Sequence, residues 1–224
     1  MGSREILSDD LTTKARIRNA AIKLVGEHGI NAMTARKVAK AAGVSPGLVI
    51  HHYGSMEDLR STCDEHVAAT IRSYKQEAAS GGPGIDVLAA IREADIGPLA
   101  GYLAAVLADD SPSVAKLVDN LVDDAEDYCR QFVEAGMMRP TSDPRGRAAV
   151  LLLWGLGSMV MHKHLQRILG VDIIDPEFGS DPASVAYASL VHEIYSEGIY
   201  TEEFAARVQN VFDRSADGKS TQKE

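Results

Sequence analysis

The sequence predicts an all-α protein. Apolar residues recur at spacings of three and four along the chain, with no strand-like alternation of any length. Glycine- and proline-bearing breaks divide these periodic stretches. Three of the stretches open on one signature, a capping side chain followed by proline: Ser111-Pro112, Asp143-Pro144 and Asp181-Pro182.

The first helix is expected over Thr13–His28, with Ile17, Ala20, Ala21, Leu24 and Val25 on one face and Gly29 as its stop. Thr34 caps a short second helix that runs to Ala42 and breaks at Gly43. Ser45 caps a third, with Pro46 at the first helical position, where its missing N–H costs nothing; it ends near Tyr53-Gly54. Ser55 caps a fourth that runs to about Ala79, and Glu57 and Asp58 in its first turn suit the positive end of the helix dipole. The string Ser80-Gly81-Gly82-Pro83-Gly84 ends it. Further helices are expected at Ile85–Glu93, Ile96–Ala108, Pro112–Ala135, Pro144–Leu169, Pro182–Ser196 and Glu202–Arg214. The domain reading is an N-terminal arm at 1–10, a three-helix head at 11–60, a larger helical domain at 61–214 and a polar, disordered tail at 215–224.

Composition sets the outer limits. The 224 residues are 45% hydrophobic and 25% charged, as in ordinary globular proteins and unlike disordered or fibrous ones. The net charge is −9, and the pI of about 5.3 argues on average against a nucleic-acid binder. The distribution argues otherwise. Residues 11–60 carry eight basic side chains against three acidic, a net of +5, whereas residues 61–224 carry 14 basic against 26 acidic, a net of −12. Cys63 and Cys129 cannot form a disulfide framework and are expected as buried free thiols. The longest apolar stretch, 148–161, spans 14 residues against the roughly 20 of a membrane span, so it reads as a core helix. The expected location is a reducing cytoplasm, with no membrane partner.

Residues 34–53 hold a short helix, a turn at Gly43-Val44 and a second short helix, with Val38, Ala39, Val44 and Val49 placed to share a core with the first helix. This is a helix-turn-helix arrangement, in which the second helix enters the DNA major groove N-terminus first. Ser45, Pro46 and Gly47 at that end are small enough for backbone and groove to approach closely. Free N–H groups at the helix starts suit phosphate oxygens, and Arg36 and Lys37 flank the groove, Arg36 with the reach for a bidentate contact to guanine.

The string Thr34-x-Arg36-x-Val38-Ala39-x3-Gly43-Val44-Ser45-Pro46-Gly47-Leu48-Val49-Ile50-His51-His52-Tyr53-Gly54-Ser55 resembles the Tet-repressor (TetR/AcrR-like) family of transcriptional regulators. The resemblance is strong over residues 11–60 and rests on length and helix count beyond them. It implies that Thr34 and Arg36 contact phosphate and base, that Pro46, Gly47 and Leu48 take base-reading or close-approach positions, and that His52 contacts the backbone. Two positions depart from the family pattern: Ile50 stands where a phosphate-contacting Tyr is usual, and Met56 where a Lys usually follows the cap. Each lost phosphate contact flattens the salt dependence of binding by about one unit, with His51 and His52 available in compensation. The expected DNA-facing set is Thr34, Arg36, Lys37, Ser45, Pro46, Gly47, Leu48, Ile50, His51, His52 and Tyr53.

For the acidic domain the resemblance implies dimerisation and a small-molecule pocket. The helix at 144–169 is apolar nearly all round between Ala148 and Met161 and so must be covered on both faces, and Gly155, Gly157 and Ser158 permit close helix approach. A homodimer is therefore expected through helices at about 144–169 and 182–196, reading a palindromic double-stranded operator with half-sites ~34–36 Å apart. Polar groups beside apolar faces nominate the pocket: Asn120, Asp124 and Tyr128 along one helix, with Tyr102, Met137, Trp154, Met159 and His162 completing an aromatic and thioether lining.

Other chemistries fare poorly. His162-x-His164 points two ways from a helix, no Cys/His cluster fits zinc, and no dinucleotide loop, phosphate loop or nucleophile elbow occurs, so neither cofactor, metal nor catalysis is expected. The sequence thus points to a ligand-responsive transcriptional regulator, usually a repressor in this family, released by a small hydrophobic effector that tilts the fourth helix. The competing reading is a helical small-molecule-binding or interaction protein that has lost specific DNA binding.

Overall fold

The computed structural model describes residues 2–86, 89, 97–109, 111–175 and 178–220. Among them are ten helices and no strand: α1 Gly2–His28, α2 Ala35–Ala42, α3 Pro46–Tyr53, α4 Met56–Gly81, α5 Gly97–Val106, α6 Pro112–Glu134, α7 Pro144–Val160, α8 His162–Leu169, α9 Pro182–Ser196 and α10 Glu202–Ser220. The helix expected at Ile85–Glu93 lies largely outside the described residues.

Local chemistry explains several helix starts. Thr34 Oγ1 accepts the Lys37 N–H at 3.4 Å, Ser45 Oγ accepts that of Leu48 at 3.2 Å, and Ser55 Oγ accepts that of Asp58 at 3.0 Å. Asp143 caps α7 through the Gly146 N–H at 2.8 Å, and Asp181 accepts those of Ala183 and Ser184 at the start of α9. Ser111 departs from this pattern: its backbone is extended, but its hydroxyl pairs with that of Ser113 instead of capping α6. Gly43 closes α2 in the left-handed conformation, φ 67°, which only glycine enters without strain.

Three boundaries differ from expectation. Helix α1 begins at Gly2, since residues 3–12 contain neither glycine nor proline to stop it. Helix α10 continues to Ser220, past the expected end at Arg214, so the expected tail starts as helical backbone. The stretch 144–169 is two helices bent by 75° at Met161, not one. Gly155, Gly157 and Ser158 lie in the preceding turns, where glycine–serine sequences weaken a helix, and His162 at the break sits 3.4 Å from the Asp172 carboxylate. No single helix among the described residues is long and apolar enough to cross a membrane.

The chain forms two compact units, Met1–Ser184 and Val185–Glu224. In the first, α1 packs against α2, α4 and, most extensively, α5; α6 packs on α4 and α7; and α5 also meets α7. One core runs from Ile17, Val25, Val38 and Val49 in the head through Leu59, Cys63 and Val67 of α4 to Tyr102, Leu103 and Leu121. A satellite cluster of Ala125, Cys129 and Ala148 joins α6 to α7. In the second unit Leu190, Ile194, Tyr195, Phe204 and Phe212 are exposed.

The crossing of α1 and α5 depends on Gly26, which packs on the backbone at Gly101 and Tyr102. A Cβ placed on Gly26 would fall 3.1 Å from the Tyr102 amide nitrogen and 3.2 Å from the Gly101 carbonyl carbon, backbone atoms that cannot swing aside. A Cβ on Gly101 would stand 3.5 Å from Gly26 Cα, an ordinary contact. Gly26→Ala is therefore expected to destabilise the fold by about 1–3 kcal/mol through overpacking. Gly101→Ala should be near neutral, helped by up to ~1 kcal/mol of helix propensity. Urea unfolding of both variants checks the order, and equal costs would contradict the close crossing.

Candidate functional site

Helices α2 and α3 cross through buried Val38, Ala39 and Val49, which turns their other faces outward. Thr34, Arg36, Lys37, Ser45, Pro46, Gly47, Ile50 and His51 are all exposed, while Leu48 and His52 are half-buried. The capped starts of α2 and α3 bring free backbone N–H groups to the same region. Tyr53 faces the other way: it is buried, its hydroxyl donates to the Lys14 carbonyl at 2.7 Å, and the Lys14 ammonium stands 5.2 Å from the ring centroid. Burial holds the Tyr53 phenol protonated, with a pKa of about 12, so this bond is kept across neutral pH. Tyr53 therefore fixes α3 against α1. Met56 is half-buried against the core, so its side chain serves packing.

A cavity of about 460 Å³ opens in the same unit, between α4, α5, α6 and α7. Ile71, Tyr74, Lys75 and Ala78 line it from α4 and Leu99, Ala100 and Leu103 from α5. Leu121, Tyr128 and Phe132 enter from α6 with Met137 just beyond, and Leu151, Leu152, Gly155, Leu156 and Met159 from α7. Of the residues nominated from sequence, Tyr128, Met137 and Met159 are at the cavity. Tyr102, Asn120, Asp124, Trp154 and His162 are not among its lining residues, each for a visible reason. Tyr102 is fully buried, and its hydroxyl donates to Asp64 Oδ1 at 2.6 Å. Asn120 is exposed to solvent. Asp124 is held by the Arg72 guanidinium through two bonds of 2.7 and 2.9 Å. Trp154 is 61% exposed and outside the lining that Leu151, Leu152, Gly155, Leu156 and Met159 supply from α7. His162 lies at a separate groove bordered by Lys23, His28 and Lys163.

Lys75 and Tyr74 were not singled out from sequence. They sit in a polar stretch, Arg72-Ser73-Tyr74-Lys75-Gln76-Glu77, that reads as a solvated helix face, and only their spacing from Ile71 and Ala78 hints at a shared side. Cys63 is also settled by its surroundings: burial pushes its thiol up to about 12, and it donates weakly to the Arg18 carbonyl at 3.8 Å. Such a thiol is unreactive. Among the described residues no group of three or more His, Cys, Asp or Glu side chains is placed to hold a metal ion.

Residues 17–62 match the family model for bacterial regulatory proteins of the tetR family, and residues 94–201 match the tetracyclin repressor-like C-terminal domain. The HTH-type transcriptional regulatory protein RaaS of Mycobacterium tuberculosis is 41% identical over 156 residues, covering 69% of this chain and 73% of RaaS. The chain belongs to the TetR family of transcriptional regulators. Solved structures agree on the fold. A TetR-family regulator from Rhodococcus sp. superposes with a TM-score of 0.56 at 18% identity, covering 83% of this chain and 100% of that one. FadR from Bacillus subtilis, in complex with stearoyl-CoA, gives 0.55 at 16% identity, covering 83% and 99%. TetR-family regulators are DNA-binding regulatory proteins, not enzymes, and α2 with α3 is the helix-turn-helix of this one.

In this TetR-family chain the Tyr102–Asp64 bond ties α5 to α4. Burial raises the Asp64 carboxyl above its ordinary pKa, while the bond from Tyr102 and the charge of Arg60 oppose that rise. A carboxyl raised in the folded state supports folding below its unfolded pKa of ~3.9 and loses that contribution as pH climbs through the folded value. Deleting the hydroxyl raises the folded value further. Tyr102→Phe is therefore expected to cost about 1–3 kcal/mol, more at about pH 8 than at about pH 4. Urea unfolding at both pH values measures this, and a pH-independent cost would contradict it.

Proposed function

We propose that this regulator is a repressor that binds a palindromic operator as a homodimer through α2 and α3, and is released when a small apolar effector fills the cavity between α4 and α7. The observation that carries this reading is the two-sided role of α5. One side meets α1 at Gly26, directly behind the head, and the other lines the cavity through Leu99, Ala100 and Leu103. Helix α4 is placed similarly, with its cap beside α3, Asp64 bonded to Tyr102, and Ile71 to Ala78 at the cavity. A molecule that pushes α4 and α5 apart must move the head, and affinity falls when two half-sites ~34–36 Å apart can no longer be met together. A ligand that prefers the released form 100-fold supplies about 2.7 kcal/mol toward it. The stearoyl-CoA held by FadR, a protein of the same fold, supports an apolar occupant.

Arg36 acts as a base reader, and Thr34, Ser45 and the helix-start N–H groups position the phosphates. Ile50, 41% exposed on α3, presents an apolar surface suited to a thymine methyl. Homodimer formation draws on exposed apolar side chains, Val150, Leu153 and Trp154 on α7 and, in the second unit, Leu190 and Ile194 on α9.

Selection of genomic fragments by the full chain should recover a palindromic site. On that site Arg36→Ala is expected to cost about 1–3 kcal/mol in a gel-shift titration. Unchanged binding would remove Arg36 as a reader, and recovery of no site from folded protein would overturn the repressor reading. Trp154→Glu should shift the sedimentation equilibrium toward monomer and weaken operator binding with it; an undiminished dimer would exclude that face of α7.

A further inference from the structure

The cavity contains one feature that a purely apolar occupant leaves unanswered. Lys75, on α4, is the only charged side chain among its described lining residues, a lining it shares with Leu99, Leu103, Leu121 and Leu152. Lys75 is exposed, its side chain forms part of the cavity wall, and desolvation by the protein around it draws its pKa below the ordinary lysine value. Among the described residues no carboxylate lies within ion-pair distance of this ammonium. The nearby Asp124 is committed to Arg72 at 2.7 and 2.9 Å. The remaining neighbours offer no counter-charge. The ammonium stands 5.9 Å from the Tyr128 ring centroid, and burial keeps the Tyr128 phenol, at about 12, and the Cys129 thiol protonated.

A lone cation at the wall of an otherwise apolar cavity favours an anionic group as the polar end of whatever enters, because a charge-assisted hydrogen bond is stronger than a neutral one. We propose that the cavity binds an amphiphilic monocarboxylic acid, with its carboxylate paired to Lys75 beside Tyr128 and its apolar chain or ring along α5 and α7. The proposal rests on the reading of this cavity as the effector site and narrows the effector to one chemical class. The volume of about 460 Å³ falls within the range of small-molecule pockets. The protonated Tyr128 phenol adds a hydrogen-bond donor for the second carboxylate oxygen, and Leu151, Leu156 and Met159 supply a surface that makes no demand on chain polarity.

Isothermal titration of the full chain with decanoate, decan-1-ol and decylammonium, all below their aggregation limits, tests the class directly. Decanoate is expected to bind at least about tenfold more tightly than the alcohol, the increment of a charge-assisted hydrogen bond, and decylammonium most weakly. Lys75→Met should reduce decanoate to the affinity of the alcohol while leaving alcohol binding intact, which also reports that the variant is folded. Lys75→Arg should keep the preference. Equal affinity of acid and alcohol, failure of all three to bind, or a preference that survives Lys75→Met would each overturn the proposal. Operator binding measured in the same samples separates the two readings. Decanoate bound through Lys75 with no loss of operator affinity removes the effector role and leaves the carboxylate site. Operator release by the alcohol alone, with decanoate inert, removes the carboxylate site and leaves the effector role.

Discussion

The contact between α1 and α5 is the constraint on which the remaining arrangement depends. Two helices can approach until backbone meets backbone only where no Cβ stands in the way, and Gly26, set against the backbone of Gly101 and Tyr102, meets that condition. Close approach leaves little freedom to slide, because any shift brings neighbouring side chains into the same narrow space. The helix that carries the head is thereby fixed to a helix that lines a cavity. The bond from Tyr102 to Asp64, set one residue along α5, draws in α4 as well. Three helices thus meet where the DNA-reading segment ends and the larger domain begins, and one core passes without interruption from one to the other.

This continuity gives the acidic domain a second role. Its negative charge disfavours nucleic acid, while the positive charge of residues 11–60 favours it. The head needs little rigidity of its own. Caps at Thr34, Ser45 and Ser55 set where its helices begin, and Tyr53 under Lys14 sets how α3 meets α1, so its orientation is decided by the helix it stands on.

Much of this was legible in sequence, and the division between what was and was not is physical. Caps, breaks and the left-handed turn at Gly43 are governed by residues within four positions of one another, so Thr34, Pro46 and Gly54 announce their helices unaided. The stripe Val114, Leu117, Leu121 and Ala125 announces a buried face for the same reason. What lies opposite that face is decided by distant residues. Asp124 reads as a polar group at a pocket's edge until Arg72 arrives from α4, and nothing near Asp64 in sequence announces the bond it accepts from Tyr102 of α5. Helix α7 is apolar nearly all round, so periodicity could not say whether Trp154 or Gly155 faces the cavity. Lys75 escaped notice because a lysine in a polar stretch is ordinary, and only the surrounding helices make it otherwise.

The outward turn of Trp154 carries a consequence for how this molecule can be observed. It is the only tryptophan in the chain, it is exposed, and it lies outside the cavity lining that α7 contributes. Indole emission is sensitive to the polarity around the ring, so the protein contains a single natural fluorophore that reports on whatever covers that face of α7. Filling the cavity excludes solvent from tyrosines instead, at Tyr74 and Tyr128. A change of surroundings at that face of α7 is therefore read by the indole, and one inside the cavity by tyrosines, in the unlabelled, unmodified protein.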